Sequence, residues 1–326
     1  MRADPRALKW IVKFFTSSIA TPRPEALAHR AKACQNSPMT VRTRFAPSPT
    51  GRLHLGHALA ARVAHDLARR SPHGVFLLRH EDIDAPRVRE EFYHAIEHDL
   101  EWLGLAWDAV PLRQTTRSAA YESALDSLRQ RGLAYPCFCT RREIQDEWSR
   151  MAAAPQGMET PVYPGICLRL RPAERAAKLA AGLPHAWRLD SREAAAHTGP
   201  LIFHDLRFGE IPVAAELLGD VVLARKDIGT AYHLAVVVDD AFQEISHVTR
   251  GEDLLPSTHV HRLLQVLLHL PAPVYFHHPL MLDETGKRLA KRSESQSIAA
   301  LRAGGISADD ILNLTADACF LNLPQL

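Results

Sequence analysis

The sequence of 326 residues lacks a long apolar run, an excess of one charge and a large number of cysteines, and each absence argues against a class of protein. It has no uninterrupted apolar run near the roughly 18 residues of a transmembrane helix, which excludes a membrane span. Its 39 Lys and Arg nearly balance 37 Asp and Glu, so nothing indicates a general polyanion binder. Five cysteines are few and odd in number, which argues against a disulfide scaffold. We expect a soluble, cytoplasmic, monomeric enzyme of ordinary globular composition.

The first forty residues differ from the rest in charge. They contain seven Lys and Arg against only Asp4 and Glu25. A basic, acid-poor, amphipathic start resembles an organelle transit peptide. Met39, just before the first predicted strand, favours a start codon placed too far upstream instead. Under either interpretation, we predict that residues 1–40 form an extension outside the core.

Hydrophobic periodicity predicts strands and helices that alternate on both sides of an irregular stretch. Residues 41–45 and 75–78 have strand patterns, and apolar residues recur every four positions between 55 and 67. This order is typical of a parallel sheet covered by helices, so we predict an α/β, Rossmann-like fold. The predicted segments are a first catalytic half at 41–113, an insertion at 114–199, a second half at 200–292 that includes a strand at 221–223, and a helical tail at 293–326.

A turn rich in Pro and Gly, residues 47–51, joins the first strand to the first helix and precedes two histidines. His54 and His57 are three residues apart, so they share one face of a helical turn. The first N–H groups of a helix attract phosphate, and two imidazoles there can donate hydrogen bonds to the phosphates of ATP. Gly56 lets a nucleotide approach the backbone closely. Two histidines that flank a helix start by chance are the alternative.

Three of the five cysteines, Cys137, Cys139 and Cys167, cluster within the predicted insertion. Three thiolates with one further ligand suit a tetrahedral structural Zn²⁺. The one-residue gap of Cys-x-Cys is tighter than the usual two. Three thiols that bind no metal are the alternative. Thr140 and Glu143 have capping-box spacing and predict a helix directly after the first two cysteines.

Residues 44–57 resemble the HIGH signature of class I aminoacyl-tRNA synthetases in its glutamate-specific form. The stretches 78–87, 230–240 and 247–254 are similar to further blocks of that family. Residues 286–292 resemble its KMSKS loop, with Ala290 where a serine is common. The blocks occur in the order that the family shows.

The resemblance implies the roles of individual residues. It assigns glutamate binding to Arg44, Phe45, Ala46, Pro47, Ser48, Glu81, Tyr232 and Arg250, and ATP binding to His54, Gly56, His57 and Lys291. The two arginines read a carboxylate, since guanidinium binds planar oxyanions bidentately. Glu81 holds the α-ammonium and Tyr232 completes the pocket wall. Lys291, with His54 and His57, is the catalytic group, and Mg²⁺ accompanies ATP.

The length of the chain and its cysteines point to one branch of the family. Only 34 of the 326 residues follow Arg292, so we expect no anticodon-binding domain. Cys137, Cys139, Tyr163 and Cys167 resemble the zinc site of glutamyl-Q tRNA(Asp) synthetases. That resemblance implies one Zn²⁺, tRNA-independent activation of L-glutamate, and its transfer to the queuosine base of tRNA(Asp). The alternatives are a shortened glutamyl-tRNA synthetase that charges a tRNA 3′ end, a small-molecule adenylyltransferase, and a non-catalytic tRNA-binding paralogue.

Overall fold

Strands and helices alternate along the chain in the computed structural model, which describes residues 40–150, 162–214, 217–227, 229–281 and 297–319. The first elements are β1 (Arg42–Phe45), α1 (Leu55–Arg69), β2 (Val75–His80), α2 (Glu90–Trp102), β3 (Leu112–Arg113) and α3 (Ser118–Gln130). They are followed by β4 (Ala134–Cys137), α4 (Arg141–Arg150), α5 (Pro172–Ala180), β5 (Ala186–Leu189), α6 (Ser191–Thr198), β6 (Ile202–Asp205), β7 (Gly209–Pro212), β8 (Val222–Arg225) and β9 (Gly229–Thr230). The last are α7 (Tyr232–Phe242), β10 (His247–Gly251), α8 (Leu255–Leu267), β11 (Val274–His278), α9 (Ile298–Ala303) and α10 (Ala308–Cys319).

Two groups of parallel strands meet between β1 and β10. On one side β1 pairs with β2 and β2 with β3; on the other β10 pairs with β11 and β11 with β6, all in parallel. β7 closes the second group as an antiparallel edge strand. The Ser246 N–H donates to the Arg42 carbonyl oxygen at 3.0 Å, which sets β10 beside β1. The α/β class with a parallel sheet is therefore confirmed.

Four further strands form a separate antiparallel sheet in the order β4, β5, β8, β9. The expectation that the apolar run at 221–223 belongs to the parallel half is wrong, because β8 pairs with β5. β6 and β7 lie between β5 and β8 in sequence but join the parallel strands. A short apolar run does not reveal its pairing partner, and the boundary at residue 199 stays a prediction.

Apolar side chains anchor helix α1 in the core. Leu59, Val63 and Leu67 follow the predicted spacing of four and are all buried. The expected short C-terminal helices are present as α9 and α10, whose Ile298 and Ile311 are buried in the same region. Among the helices of the described ranges, none has the length and apolar character that a membrane crossing needs.

Gly74, directly before β2, packs against the backbone at the end of α1. A Cβ atom on residue 74 would lie 1.7 Å from the Ala68 carbonyl oxygen, so one backbone segment would have to move. We expect Gly74→Ala to lower the free energy of unfolding by about 2–4 kcal/mol, measured by urea denaturation. Gly51→Ala is the control, because a Cβ at residue 51 meets nothing within 4 Å. Equal losses in the two variants would contradict this packing argument.

Candidate active site

The turn that begins α1 brings the two predicted phosphate-binding histidines together. Nδ1 of His54, the N-cap, accepts a hydrogen bond from the Gly56 N–H at 3.1 Å. Nδ1 of His57 accepts from the His54 N–H at 3.2 Å, and the ring centroids are 3.8 Å apart. Because Nδ1 accepts in both rings, each neutral ring carries its proton on Nε2, the donor that a phosphate needs. A Cβ on Gly56 would lie 3.0 Å from the His54 ring, so glycine leaves room for this arrangement.

Arg44 of β1 and Arg79 of β2 share the buried carboxylate of Asp240 on α7. Asp240 Oδ1 accepts from Arg44 Nε at 2.9 Å and from Arg79 Nη1 at 2.7 Å. Burial alone would raise the pKa of Asp240, but the two guanidiniums hold it below its usual value. Arg79 Nη2 also donates to Glu81 Oε1 at 3.3 Å. Burial raises the pKa of Glu81, although Arg79 and Arg44 oppose that effect.

Arg250, near the end of β10, is held by histidine, tyrosine and threonine side chains and, in the part of the chain that is described, not by a carboxylate. Its Nε donates to His277 Nε2 at 3.1 Å, and its Nη1 donates to His261 Nδ1 at 3.1 Å and to the Tyr232 hydroxyl at 3.3 Å. Its Nη2 donates to the Thr258 hydroxyl. Among the described residues, no carboxylate oxygen lies within 4.0 Å of this buried guanidinium. A buried cation without a counter-ion is costly, which marks Arg250 as a site for an anionic group.

Arg44, Glu81, Arg250, His54 and His57 line one cavity of about 440 Å³. It brings together every described residue that was predicted to bind glutamate or ATP, namely Arg44, Phe45, Ala46, Pro47, Ser48, His54, Gly56, His57, Glu81, Tyr232 and Arg250. Lys291 lies outside the described residues, so its role stays a prediction. The described chain breaks off after Met281, which lines this cavity, and resumes at Ser297, which forms an antiparallel bridge with His54.

Sequence reasoning missed the residues that support this cavity from behind and several that line it. Arg79 and Asp240 form the network around Arg44, and Asp253, His278 and Met281 are part of the wall. Arg79 and Asp240 both lie within the blocks that resemble the family. A charged residue within or directly after an apolar run is the signal that could have found them, since such charges are buried only when paired.

A second cavity, of about 940 Å³, adjoins the first. Ser48, Glu81 and Tyr232 line both cavities. The second extends to the antiparallel sheet and has cationic side chains in its wall, namely Arg87, Arg141, Arg188, Arg225 and Lys226. Ligands bound in the two cavities would therefore contact the same three side chains.

The four predicted metal ligands come together at the end of β4. The sulfurs of Cys137, Cys139 and Cys167 lie within 4.8 Å of one another. The Tyr163 hydroxyl oxygen lies 3.3 Å from the sulfurs of Cys137 and Cys139. Sulfurs bound to tetrahedral Zn²⁺ at about 2.3 Å would be roughly 3.8 Å apart, so the donor set fits zinc. The Cys167 N–H donates to the Tyr163 oxygen at 2.9 Å, and the Phe138 N–H donates to the Cys167 sulfur, as second-layer bonds to metal ligands do.

Comparison with known proteins identifies the class to which this site belongs. A family model described as tRNA synthetases class I (E and Q), catalytic domain, matches residues 40–316. The chain belongs to this family. Its relatives further show that it is an ATP-dependent ligase.

Individual relatives show which members of this family the chain resembles. The chain is 48% identical over 280 residues to a glutamyl-Q tRNA(Asp) synthetase of Rhodobacter capsulatus, covering 83% of this chain and 98% of that protein. It is 39% identical over 301 residues to glutamate–tRNA ligase 2 of Nitrosococcus oceani, covering 88% of this chain and 62% of the ligase. A crystal structure of glutamate-tRNA synthetase from Elizabethkingia anophelis matches with a TM-score of 0.66 at 31% identity, covering 78% of this chain and 53% of that one. The predicted similarity to glutamyl-Q tRNA(Asp) synthetases is confirmed, and the chain spans about half the length of that glutamate-tRNA synthetase.

Asp240 should be the most sensitive support of the cavity. Asp240→Asn keeps the shape but removes the carboxylate that two buried guanidiniums share and leaves Arg44 without one, so we expect a loss of about 3 kcal/mol in the free energy of unfolding. Urea denaturation measures it. Asp126→Asn is the matched control, because Asp126 pairs with Arg129 on the surface and is 54% exposed. A loss below about 1 kcal/mol is expected there, and a loss of that size at Asp240 would contradict the argument.

Proposed function

We propose that this chain activates L-glutamate with ATP in the absence of tRNA and transfers the glutamyl group to the queuosine base at the wobble position of tRNA(Asp). The observation that carries the proposal is the set of charged groups in the first cavity. The guanidiniums of Arg44 and Arg250 and the carboxylate of Glu81 line it together with His54 and His57. At neutral pH glutamate presents a side-chain carboxylate, which the guanidiniums match, and an ammonium, which the carboxylate matches.

Glutamate fits this cavity in one orientation. Its ammonium pairs with Glu81, whose ionised form gains stability from the arriving positive charge. Its side-chain carboxylate pairs with the positive charges of Arg44 and Arg250 and accepts hydrogen bonds from the N–H groups that their protein partners leave. Tyr232, whose hydroxyl accepts from Arg250, closes the wall. This orientation leaves the α-carboxylate toward His54 and the phosphates of ATP.

In the proposed reaction, the α-carboxylate attacks the α-phosphorus of ATP, and the bond to the departing pyrophosphate breaks. The Nε2–H groups of His54 and His57, next to the positive end of α1, stabilise the charge that develops on the phosphate oxygens. Lys291 is assigned to the same phosphates. Mg²⁺ bound with ATP neutralises part of their charge. The chain thus contributes chiefly positioning and electrostatics.

The second cavity is assigned to the acceptor nucleoside. A queuosine hydroxyl attacks the glutamyl carbonyl beside Ser48, Glu81 and Tyr232, which line both cavities, and AMP leaves. Arg87 and Arg225 pair with Asp84 and Asp227 of the same wall, which leaves Arg141 and Arg188 as the side chains that suit the phosphates of a tRNA. The relatives named glutamyl-Q tRNA(Asp) synthetase support queuosine as the acceptor.

A shortened glutamyl-tRNA synthetase is the second candidate. Two observations favour it: the 39% identity to a glutamate–tRNA ligase, and His57, which completes the HIGH signature. In that case the acceptor would be the 3′ end of a tRNA.

Glutamate-dependent exchange between ATP and pyrophosphate tests activation. We expect exchange without tRNA, and a decrease of at least about 100-fold in His54→Ala, because a stabilising donor at the phosphate is lost. Unchanged exchange in that variant would refute the assignment of His54. Exchange only with tRNA(Glu) would favour the second candidate, and none in either case would indicate a non-catalytic paralogue. Transfer of labelled glutamate to tRNA(Asp) with queuosine, but not to the same tRNA without it, tests the acceptor.

We also propose that Cys137, Cys139, Tyr163 and Cys167 hold one structural Zn²⁺. Lys226 supports this assignment, because its ammonium donates to the carbonyls of Phe138 and Cys139 at 2.8 and 2.9 Å. A positive charge there offsets the negative charge that three thiolates bring to a zinc site. The metal would join the end of β4 to the segment around Cys167 that precedes α5.

Elemental analysis of the purified protein measures the metal directly. We expect about one zinc per chain and a large loss of zinc and of thermal stability in Cys167→Ser, because a ligand is removed. Cys34→Ser is the control, since Cys34 lies outside the cluster in sequence. Full zinc content in Cys167→Ser, or no zinc after expression with ample zinc, would contradict the proposed site.

A further inference from the structure

We infer that His261 and His277 are positioning residues that orient Arg250 without neutralising it, so that its charge is kept for an anionic substrate side chain. The inference rests on the proposed function, because it takes glutamate as the ligand of Arg250. It concerns two histidines that no sequence motif singled out. Each is buried, and each contacts the guanidinium directly.

The proton on His277 is placed by Asp205. Nδ1 of His277 lies 2.6 Å from Asp205 Oδ2, and both side chains are fully buried. The other oxygen of Asp205 accepts from the N–H groups of Arg207 and Phe208, which fixes the carboxylate. Nδ1 therefore carries the proton and donates it to Asp205, and Nε2 accepts from Arg250. Burial lowers the pKa of His277 to about 4 despite the carboxylate, so the ring is neutral at pH 7.

The proton on His261 is placed by Arg250 itself. A guanidinium only donates, so His261 Nδ1, 3.1 Å from Arg250 Nη1, accepts. Nε2 of His261 then carries the proton and donates to His233 Nδ1 at 3.1 Å. Burial, with the nearby charge of Arg250, holds the pKa of His261 well below its usual value and lowers that of His233 to about 4. Both rings are neutral acceptors at pH 7.

These contacts orient the guanidinium of Arg250 but do not compensate its positive charge. Its hydrogen bonds to His277, His261, Tyr232 and Thr258 use four of the five N–H groups of a guanidinium. A carboxylate at any of these positions would fix the group equally well, but it would also form a resident ion pair. Neutral acceptors therefore keep the cavity selective for a negatively charged side chain.

Two variants of nearly the same shape separate orientation from charge. His261→Asn places a neutral acceptor near the position of Nδ1, and His261→Asp places a charged one there. Kinetics of ATP–pyrophosphate exchange, with each substrate varied in turn, give the KM for glutamate and for ATP. We expect His261→Asp to raise the KM for glutamate at least about tenfold, and His261→Asn to raise it less than about threefold. The KM for ATP should change less than about twofold in both.

Equal increases in the two variants, or no increase in His261→Asp, would overturn the inference. If His261→Asp does not fold, His277→Gln and His277→Leu replace the pair, since only Gln keeps an acceptor near Nε2; equal KM values for glutamate would then overturn it. Calorimetric titration of glutamate into the protein alone separates this test from the proposed function. Wild-type protein that binds glutamate without exchange refutes the proposed activation, while the binding constants of the variants still decide the role of His261.

Discussion

The buried carboxylate of Asp240 is the interaction on which the rest of the site depends. Arg44 pairs with Leu77 in the register of β1 and β2, and Arg79 follows two residues later, so both guanidiniums point to the same face of the sheet. Two like charges so close together would repel each other without a carboxylate between them. Asp240 on α7 supplies it, and thereby ties this helix to two strands of the parallel sheet.

The two arginines that line the cavity are held in place by opposite means. Arg44 shares a carboxylate with Arg79, so much of its charge is compensated within the protein. Arg250 is oriented by rings and hydroxyls, so its charge has no resident counter-ion among the described residues. Under the proposed function, Arg44 supplies a rigid wall, and Arg250 supplies the charge that distinguishes an anionic side chain from a neutral one.

The part of the site that could be predicted from the sequence is the part built by local motifs. His54, Gly56 and His57 lie on one turn, and their spacing alone indicates their proximity. Asp240 could not be assigned to Arg44 in this way, because 196 positions separate them. Pairing of distant strands is equally hidden in the sequence, and the run at 221–223 pairs with β5 in the antiparallel sheet and not, as predicted, within the parallel half.

Helix α8 shows why the histidine pair escaped detection. His259 and His261 are both buried on it, and a histidine in an apolar helix is ordinarily a core residue. His259 is one, since its Nδ1 accepts from the backbone N–H of Ala214. Only the three-dimensional contact with Arg250 distinguishes His261 from it.

Helix α7 contributes side chains to both cavities. Its first residues, Tyr232 and His233, line the second cavity, and Asp240 stands two turns further along under Arg44. A shift of this helix would therefore move both cavities, and with them the proposed glutamate and acceptor sites, together. Cys139 and Tyr163 also line the second cavity but not the first. Under the proposed function, a metal held there would shape the acceptor side, and activation would rest on Arg44, Arg250, His54 and His57.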